Sequence, residues 1–306
     1  MNFIKPQNFQ TETETPPIGN VLLPAGAVGL RVLSLFDGMS CGQQALERIG
    51  VNVLEYYASE IDKYAIQVAK HNYPNTKHIG SVVDVKGSDL PQIDLLIGGS
   101  PCQGFSFAGK QLNFDDPRSK LFFEFVRILE ETKPKYFLLE NVVMKQEYQD
   151  VISQHLGVKP ILINSSLLSA QNRKRLYWTN IPNINQPIDL NITIKDTIVS
   201  DCDASFFIEN RNINGKNALN KLRLSERQLN EKYRCLTAGG QGGTNAGATT
   251  IRLSNGKLRI PTPEECEMAQ TVPIGYTNCV SKTQRYKMLG NGWTVDVIAH
   301  IFRGLS

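Results

Sequence analysis

Ile93-Asp94-Leu95-Leu96-Ile97-Gly98-Gly99-Ser100-Pro101-Cys102-Gln103-Gly104-Phe105-Ser106 reads as a buried strand that stops at two glycines and then presents one cysteine on a proline-stiffened turn. An apolar run with no charge after Asp94 suits a parallel strand covered on both faces. Glycines at its carboxyl end let a ligand or another backbone approach closely. Open α/β sheets carry their chemistry at that end. A thiol placed there suits covalent catalysis, because even a small thiolate fraction is strongly nucleophilic. An isolated thiol more often just fills space, so the rest of the chain has to decide.

Outward from that stretch the pattern alternates. Arg31 to Phe36 reads as a strand, Gly42 to Ile49 as a helix ended by Gly50, Val53 to Ser59 as a strand, and Lys63 to His71 as a helix capped by Asp62. Ser81-Val82-Val83, ended by Asp84, reads as a third strand-like segment. Past the cysteine, a helix is expected from about Arg118 to Glu131 and a strand from Tyr136 to Leu139. Strands alternating with helices predict a doubly wound, mostly parallel α/β sheet. Residues 1–28 hold four prolines and a Thr-Glu-Thr-Glu-Thr run, which favours an extended arm.

After Trp178 the composition changes. Prolines and asparagines mark a linker, and Arg211 to Arg234 holds seven Lys or Arg against Glu226 and Glu231. A Gly-rich stretch, 239–247, follows, then Arg252, Lys257 and Arg259. The expected division is an arm (1–28), a first catalytic part (29–179), a small basic domain (180–260) and a return segment (261–306) ending in a helix over Trp293 to Phe302. A charge run is usually a solvated face, so this insert alone argues nucleic acid only weakly.

With 306 residues, 41% of them apolar and 20% charged, the chain can bury a sizeable core. A net charge of +4 is too small to name a partner by itself. Six widely spaced cysteines write neither a zinc ribbon nor a CxxC redox pair, so a reduced, cytoplasmic protein without a bound metal is expected. The longest apolar stretch near the N-terminus is broken by Pro24, Gly26 and Gly29, which predicts no membrane span.

Phe36-Asp37-Gly38-Met39-Ser40-Cys41-Gly42 joins the first strand to the first helix, and Glu60 ends the next strand, where a carboxylate can grip ribose hydroxyls. Asp84 is placed to accept from an adenine amino group. The loop lacks the G-x-G-x-x-G spacing of a dinucleotide site, so a nucleoside cofactor without a pyrophosphate, S-adenosylmethionine, fits better than a nicotinamide.

Five ordered blocks then make the chain similar to the DNA cytosine-5 methyltransferase family: Phe36 to Gly42, Gly98 to Ser106, Glu140-Asn141-Val142, Gln171-Asn172-Arg173-Lys174-Arg175, and Leu289-Gly290-Asn291-Gly292. The short insert and the C-terminal portion resemble the compact de novo branch, whereas Gly290-Asn291-Gly292 resembles the bacterial enzymes. The family's usual Gln-Gly-Phe-Pro reads Gln270-Thr271-Val272-Pro273 here.

The resemblance implies a Rossmann-like S-adenosylmethionine methyltransferase sheet with a smaller target-recognition domain, acting on double-stranded DNA. It implies Cys102 as the nucleophile toward carbon 6 of cytosine. Glu140, ending a buried strand where a carboxyl can hold a proton to donate, becomes the acid at ring nitrogen 3. Arg173 and Arg175, alternating along a strand and so projecting to one face, would support the site and hold the base or a phosphate. The cofactor would sit among Phe36 at the adenine, Asp37, Gly38, Met39 and Ser40 around the methionine portion, Glu60 and Ile61 at the ribose, Asp84 and Val85 at the base, and Asn291, Gly292 and Trp293 closing the site.

Extruding a base from the duplex costs a few kcal/mol. Gln103, Ser106, Lys110 and Arg118, on a loop that can close over the base, are the expected contacts to DNA there. Arg234, Thr237, Gly239, Gly240 and Arg252 are those of the insert. An RNA cytosine-5 methyltransferase is the alternative; the tRNA-acting branch typically carries Cys-Phe-Thr where this chain has Gly104-Phe105-Ser106. A prokaryotic or phage-encoded monomer, with a cognate restriction endonuclease as candidate partner, completes the expectation.

Overall fold

The computed structural model describes residues 29–100, 120–210, 225–239 and 248–305. The first half of the main sheet is β1 (Leu30–Leu35), α1 (Cys41–Arg48), β2 (Val53–Ser59), α2 (Lys63–Asn72) and β3 (Lys77–Gly80). The second is β4 (Leu95–Gly99), α3 (Lys120–Thr132), β5 (Tyr136–Val142), α4 (Gln146–Leu156), β6 (Ile161–Asn164) and β7 (Lys174–Thr179). The strands lie in the order β3-β2-β1-β4-β5-β7-β6. The first five run parallel, and β7 runs antiparallel to both β5 and β6.

Side-chain alternation explains why the sheet is covered on both faces. Leu95, Ile97, Tyr136 and Leu138 enter one apolar core, while Leu96, Phe137 and Leu139 enter the other. Successive strand residues point to opposite faces, so an uninterrupted apolar run such as Leu95-Leu96-Ile97 requires a layer on each side. α3 and α4 supply Phe122, Phe125, Ile128, Ile152 and Leu156 to the second core. α1, together with α7 (Val295–Phe302), supplies Ala45, Leu46, Val297, Ile298 and Ile301 to the first.

The expected doubly wound sheet is therefore present, with differences of detail. β4 includes both glycines instead of stopping before them. Ser81-Val82-Val83 is not a strand: β3 ends at Gly80, whose φ of 80° breaks it, and Val82–Asp84 forms a 3₁₀ turn. Arg127 of α3 fixes that turn by donating to the Val82 and Val85 carbonyls at 3.1 and 2.9 Å. The Asp62 cap on α2 is as expected, its carboxylate accepting from the Tyr64 N–H at 2.9 Å.

Within the insert a second sheet runs β10-β9-β8, from β8 (Glu226–Gln228), β9 (Thr250–Arg252) and β10 (Leu258–Arg259). Its Ile251, with neighbouring Tyr233, Leu236 and Ile260, is continuous with the core beneath α7. The return segment holds α5 (Pro263–Ala269) and α6 (Lys282–Asn291) before α7. α5 opens on a reciprocal cap: Thr262 Oγ1 accepts from the Glu265 N–H at 3.2 Å, and the Glu265 carboxylate accepts from the Thr262 N–H at 2.9 Å.

Candidate active site

Strand order reverses between β1 and β4: the chain leaves β1 toward β2 and β3, then returns to the other side with β4 and β5. The loops at this switch diverge and open a crevice beyond the carboxyl ends of the strands. A cavity of about 600 Å³ occupies it, its wall running from Phe36, Gly38 and Glu60 at one end to Glu140, Arg173 and Arg175 at the other.

The end near Phe36 is shaped by backbone. Phe36, Gly38 and Ser40 all have positive φ, at 57°, 61° and 63°. Such conformations are strained for residues with a Cβ and are retained where the surroundings enforce them. A Cβ at Gly38 would project into open space along the cavity wall, so the bare backbone leaves room there. Beneath the loop, Asp37 accepts from Tyr56 Oη at 2.8 Å and from Ser40 Oγ at 2.5 Å, and Tyr276 Oη donates to the Met39 carbonyl at 2.7 Å. Burial pushes the Asp37 carboxyl up from its ordinary 3.8 to about 6, against the lowering effect of hydrogen bonds from Ser40, Ser34 and Tyr56, with the nearby Glu60 charge adding to the rise.

Glu60 accepts three backbone N–H groups: Gly38 at 2.8 Å, Ile61 at 2.7 Å and Asp62 at 2.8 Å. A carboxylate has roughly four lone-pair sites, so capacity for a ligand hydroxyl remains. Ile61 is 77% exposed on the cavity rim, an apolar side chain available to a flat ring.

At the other end, β5 and β7 set the geometry. Glu140 pairs with Tyr177 and Val142 with Arg175, so Arg175 lies diagonally across from Glu140 on the same sheet face. Long side chains bridge such diagonals. Arg175 Nε meets Glu140 Oε1 at 2.8 Å, with both side chains largely buried. Burial works against the Arg175 charge, but the Glu140 carboxylate together with Cys235 and Tyr177 more than offsets it and raises its pKa.

Arg173 precedes β7 and is 3% exposed. It donates to the carbonyls of Leu236, Gly290 and Gly292 at 2.9, 3.2 and 2.8 Å, tying the insert to the end of α6. Both arginines reach Cys235 Sγ, so they share one face as expected. Burial and the neighbouring Arg175 charge lower the pKa of Arg173.

Several expected residues join the wall: Phe36, Asp37, Gly38, Met39, Glu60, Ile61, Glu140, Arg173, Arg175, Thr237, Asn291, Gly292 and Trp293. Others do not. Ser40 is fully buried beneath the loop. Asp84 is exposed and Val85 is buried in the second core; Ser81 and Val82 line the cavity in their stead, because β3 ends early. Cys102, Gln103, Ser106, Lys110, Arg118 and Gly240 lie outside the described residues.

Among the described residues of the insert, several cations pair with carboxylates. Arg252 is held by Glu226, Lys257 meets Glu209 at 3.0 Å, and Arg259 is sealed against Glu265. Arg234 is half-buried, with its backbone N–H on Thr249 Oγ1 at 3.0 Å, and Gly239 is exposed.

Sequence reasoning passed over residues that hold the site together. Asn141, 2% exposed, donates to Ser100 Oγ at 3.1 Å and so anchors the end of β4 to β5. Gln171 donates to Gln270 Oε1 at 2.8 Å and accepts the Leu236 N–H at 3.3 Å. Gln270 donates to the Gly292 carbonyl at 3.1 Å. Asn141 and Gln171 both sit inside recognised blocks, which was the available signal. Gly290 is demanded by contact, since a Cβ there would lie 2.0 Å from the Thr237 carbonyl carbon.

The sequence profile of the C-5 cytosine-specific DNA methylases matches residues 30–201, more than half the chain. The type II methyltransferase M.HhaI of Haemophilus parahaemolyticus is 30% identical, with 89% of this chain and 93% of that protein aligned. The type II methyltransferase M1.ScrFI of Lactococcus lactis subsp. cremoris is 31% identical across 88% of this chain and 76% of its own. Among solved structures, the Entamoeba histolytica methyltransferase EhMeth matches with a TM-score of 0.77 at 19% identity, covering 92% of this chain and all of its own, which speaks to the fold. With the strand order, the crevice and the Glu140–Arg175 pair already in place, this chain belongs to the C-5 cytosine-specific DNA methylase family.

Proposed function

We propose that the chain transfers a methyl group from S-adenosylmethionine to carbon 5 of a flipped cytosine in duplex DNA, through a transient bond from Cys102. The observation that carries this reading is one cavity with two chemically distinct ends, the Glu60 loop and the Glu140–Arg175 pair. Ser100, two residues before Cys102, lies in the same wall.

The open space at Gly38, the spare capacity of Glu60 and the apolar Ile61 fit a nucleoside attached to an amino-acid tail. Phe36, Glu60, Ile61, Asn291 and Trp293 would hold S-adenosylmethionine, which when bound supplies a methyl group on a positively charged sulfur. Ser81 and Val82, which line the cavity where Asp84 and Val85 do not, would meet the base of the nucleoside.

Carbon 5 of cytosine is too poor a nucleophile to take that group unaided. The Cys102 thiolate adds to carbon 6, pushing an electron pair into the ring, and Glu140 delivers a proton to nitrogen 3. Arg175 keeps the Glu140 carboxyl in place and presents its remaining N–H groups to the base or an adjacent phosphate. After the methyl group has joined carbon 5, the carbon 5 proton leaves to a base, the Cys102–carbon bond breaks and nitrogen 3 returns its proton to Glu140, restoring the thiolate, the acid and the ring.

Gln103, Ser106, Lys110 and Arg118 are proposed to hold phosphates around the extruded nucleotide, with Arg234, Thr237, Gly239, Gly240 and Arg252 toward the groove. Gly104-Phe105-Ser106 supports DNA over tRNA. We place the activity in the cytoplasm, as a monomer that can serve beside a restriction endonuclease.

The test is transfer of labelled methyl to duplex DNA and to tRNA in parallel. Transfer to duplex DNA is expected, with Cys102→Ala reduced to background while still binding S-adenosylmethionine, and with a covalent adduct on DNA containing 5-fluorocytosine. Full activity of Cys102→Ala removes the covalent step. Transfer to tRNA alone overturns the DNA assignment.

A further inference from the structure

The Glu140 carboxylate is held at both oxygens, from two directions. Arg175 Nε binds Oε1 at 2.8 Å, and the indole Nε1–H of Trp293 donates to Oε2 at 3.0 Å. Trp293 comes from the turn between α6 and α7, 153 positions along the chain from Glu140.

Gly99 leaves room for the meeting. A Cβ on Gly99 would lie 3.0 Å from Trp293 Nε1 and 3.1 Å from Glu140 Oε2, so the indole or the carboxylate would have to give by a few tenths of an ångström. The same indole lines the cavity.

We propose that Trp293 is a positioning residue for Glu140: its N–H fixes one carboxylate oxygen while Arg175 fixes the other, leaving the acid one orientation toward the pyrimidine. This rests on the cytosine-methylation reading. A carboxyl held by a single donor can rotate about its terminal torsion, which is broad for Glu. Two donors from different elements remove that freedom, and displacement of a reacting group by about 1 Å can cost on the order of a hundredfold in rate.

Two readouts test it on the full chain. The chain has two tryptophans, Trp178 and Trp293. Trp178, paired with Leu139 across β5 and β7, points to the opposite sheet face from Glu140, and its Nε1 donates to Ser153 Oγ. A ¹⁵N-labelled sample therefore offers two indole resonances, assigned with Trp293→Phe. The Trp293 resonance is expected to move in Glu140→Gln while that of Trp178 stays.

In the second readout, Trp293 is replaced by 3-benzothienylalanine, which keeps the ring shape and lacks the N–H. A fall in kcat of about tenfold is expected, the equivalent of one net hydrogen bond to a charged group. KM for S-adenosylmethionine should remain unchanged, and the replacement should add no loss in a Glu140→Gln background. An unmoved indole resonance overturns the proposal. So does an unchanged kcat, or an equal loss in the Glu140→Gln background, which would mark Trp293 as packing alone. A wild-type protein that methylates no cytosine rejects the reaction reading instead, and the indole resonance still decides whether Trp293 holds Glu140.

Discussion

Arg259 and Glu265 form an ion pair sealed from solvent, their side chains 1% and 0% exposed, and through it β10 of the insert is locked to α5 of the return segment. The Glu265 carboxylate also accepts the backbone N–H groups of Val199 and Thr262, both at 2.9 Å. Removing one partner of a buried pair strands the other charge at a cost of roughly 3–5 kcal/mol. Glu265→Ala should lower stability by about that amount in chemical denaturation. Replacing both charges by apolar residues should recover most of it; equal loss in both variants would show that the backbone contacts, not the stranded charge, set the cost.

Thr271 stands where the family's usual pattern has glycine, and its φ is 56°. A β-branched residue in that region carries about 1–2 kcal/mol of strain. The hydroxyl offsets this by accepting the Asp296 N–H at 2.9 Å in the first turn of α7, while donating to the Gln270 carbonyl at 2.7 Å. Thr271→Gly relieves the strain and loses the cap, so its stability should stay within about 1 kcal/mol of the parent. Thr271→Ala keeps the strain and loses the cap, and its midpoint of thermal unfolding should fall clearly below that of the glycine variant. The reverse ranking would contradict the account.

Asp37 predicts a pH dependence of stability. Its folded pKa of about 6 lies above the ordinary 3.8 because of burial. A raised folded pKa means that the folded state holds the proton more tightly than the unfolded chain. The stabilisation is therefore complete below pH 3.8 and is lost as pH rises through about 6. The shift corresponds to at most about 3 kcal/mol. Measured against Asp37→Asn, which has no proton to lose, the parent should weaken as pH goes from 4 to 7.5. A stability difference that stays constant over that range would exclude the shift.

Much of this architecture is written locally. The uninterrupted Leu95-Leu96-Ile97 run required two covering layers, and both cores are there. Asp62 opened α2 as a cap. The third strand was misplaced for an equally local reason: two adjacent valines suggested extended chain, but Gly80 had already broken β3 and Arg127 drew the valines into a turn. α4 and β6 went unread because α4 carries few apolar residues and β6, though Ile161-Leu162-Ile163 is apolar, spans only four residues; β6 is held by pairing with β7.

The chain by itself determined the elements, the loop glycines and the residue types that chemistry needs, since steric rules and apolar period act over a few residues. Only the tertiary structure decided which of them meet. Trp293 reaches Glu140, Arg173 ties Leu236 to Gly290, Arg252 meets Glu226 and Lys257 meets Glu209. Those contacts join segments tens to more than a hundred positions apart. They follow from how the layers pack, and no short-range pattern carries that information.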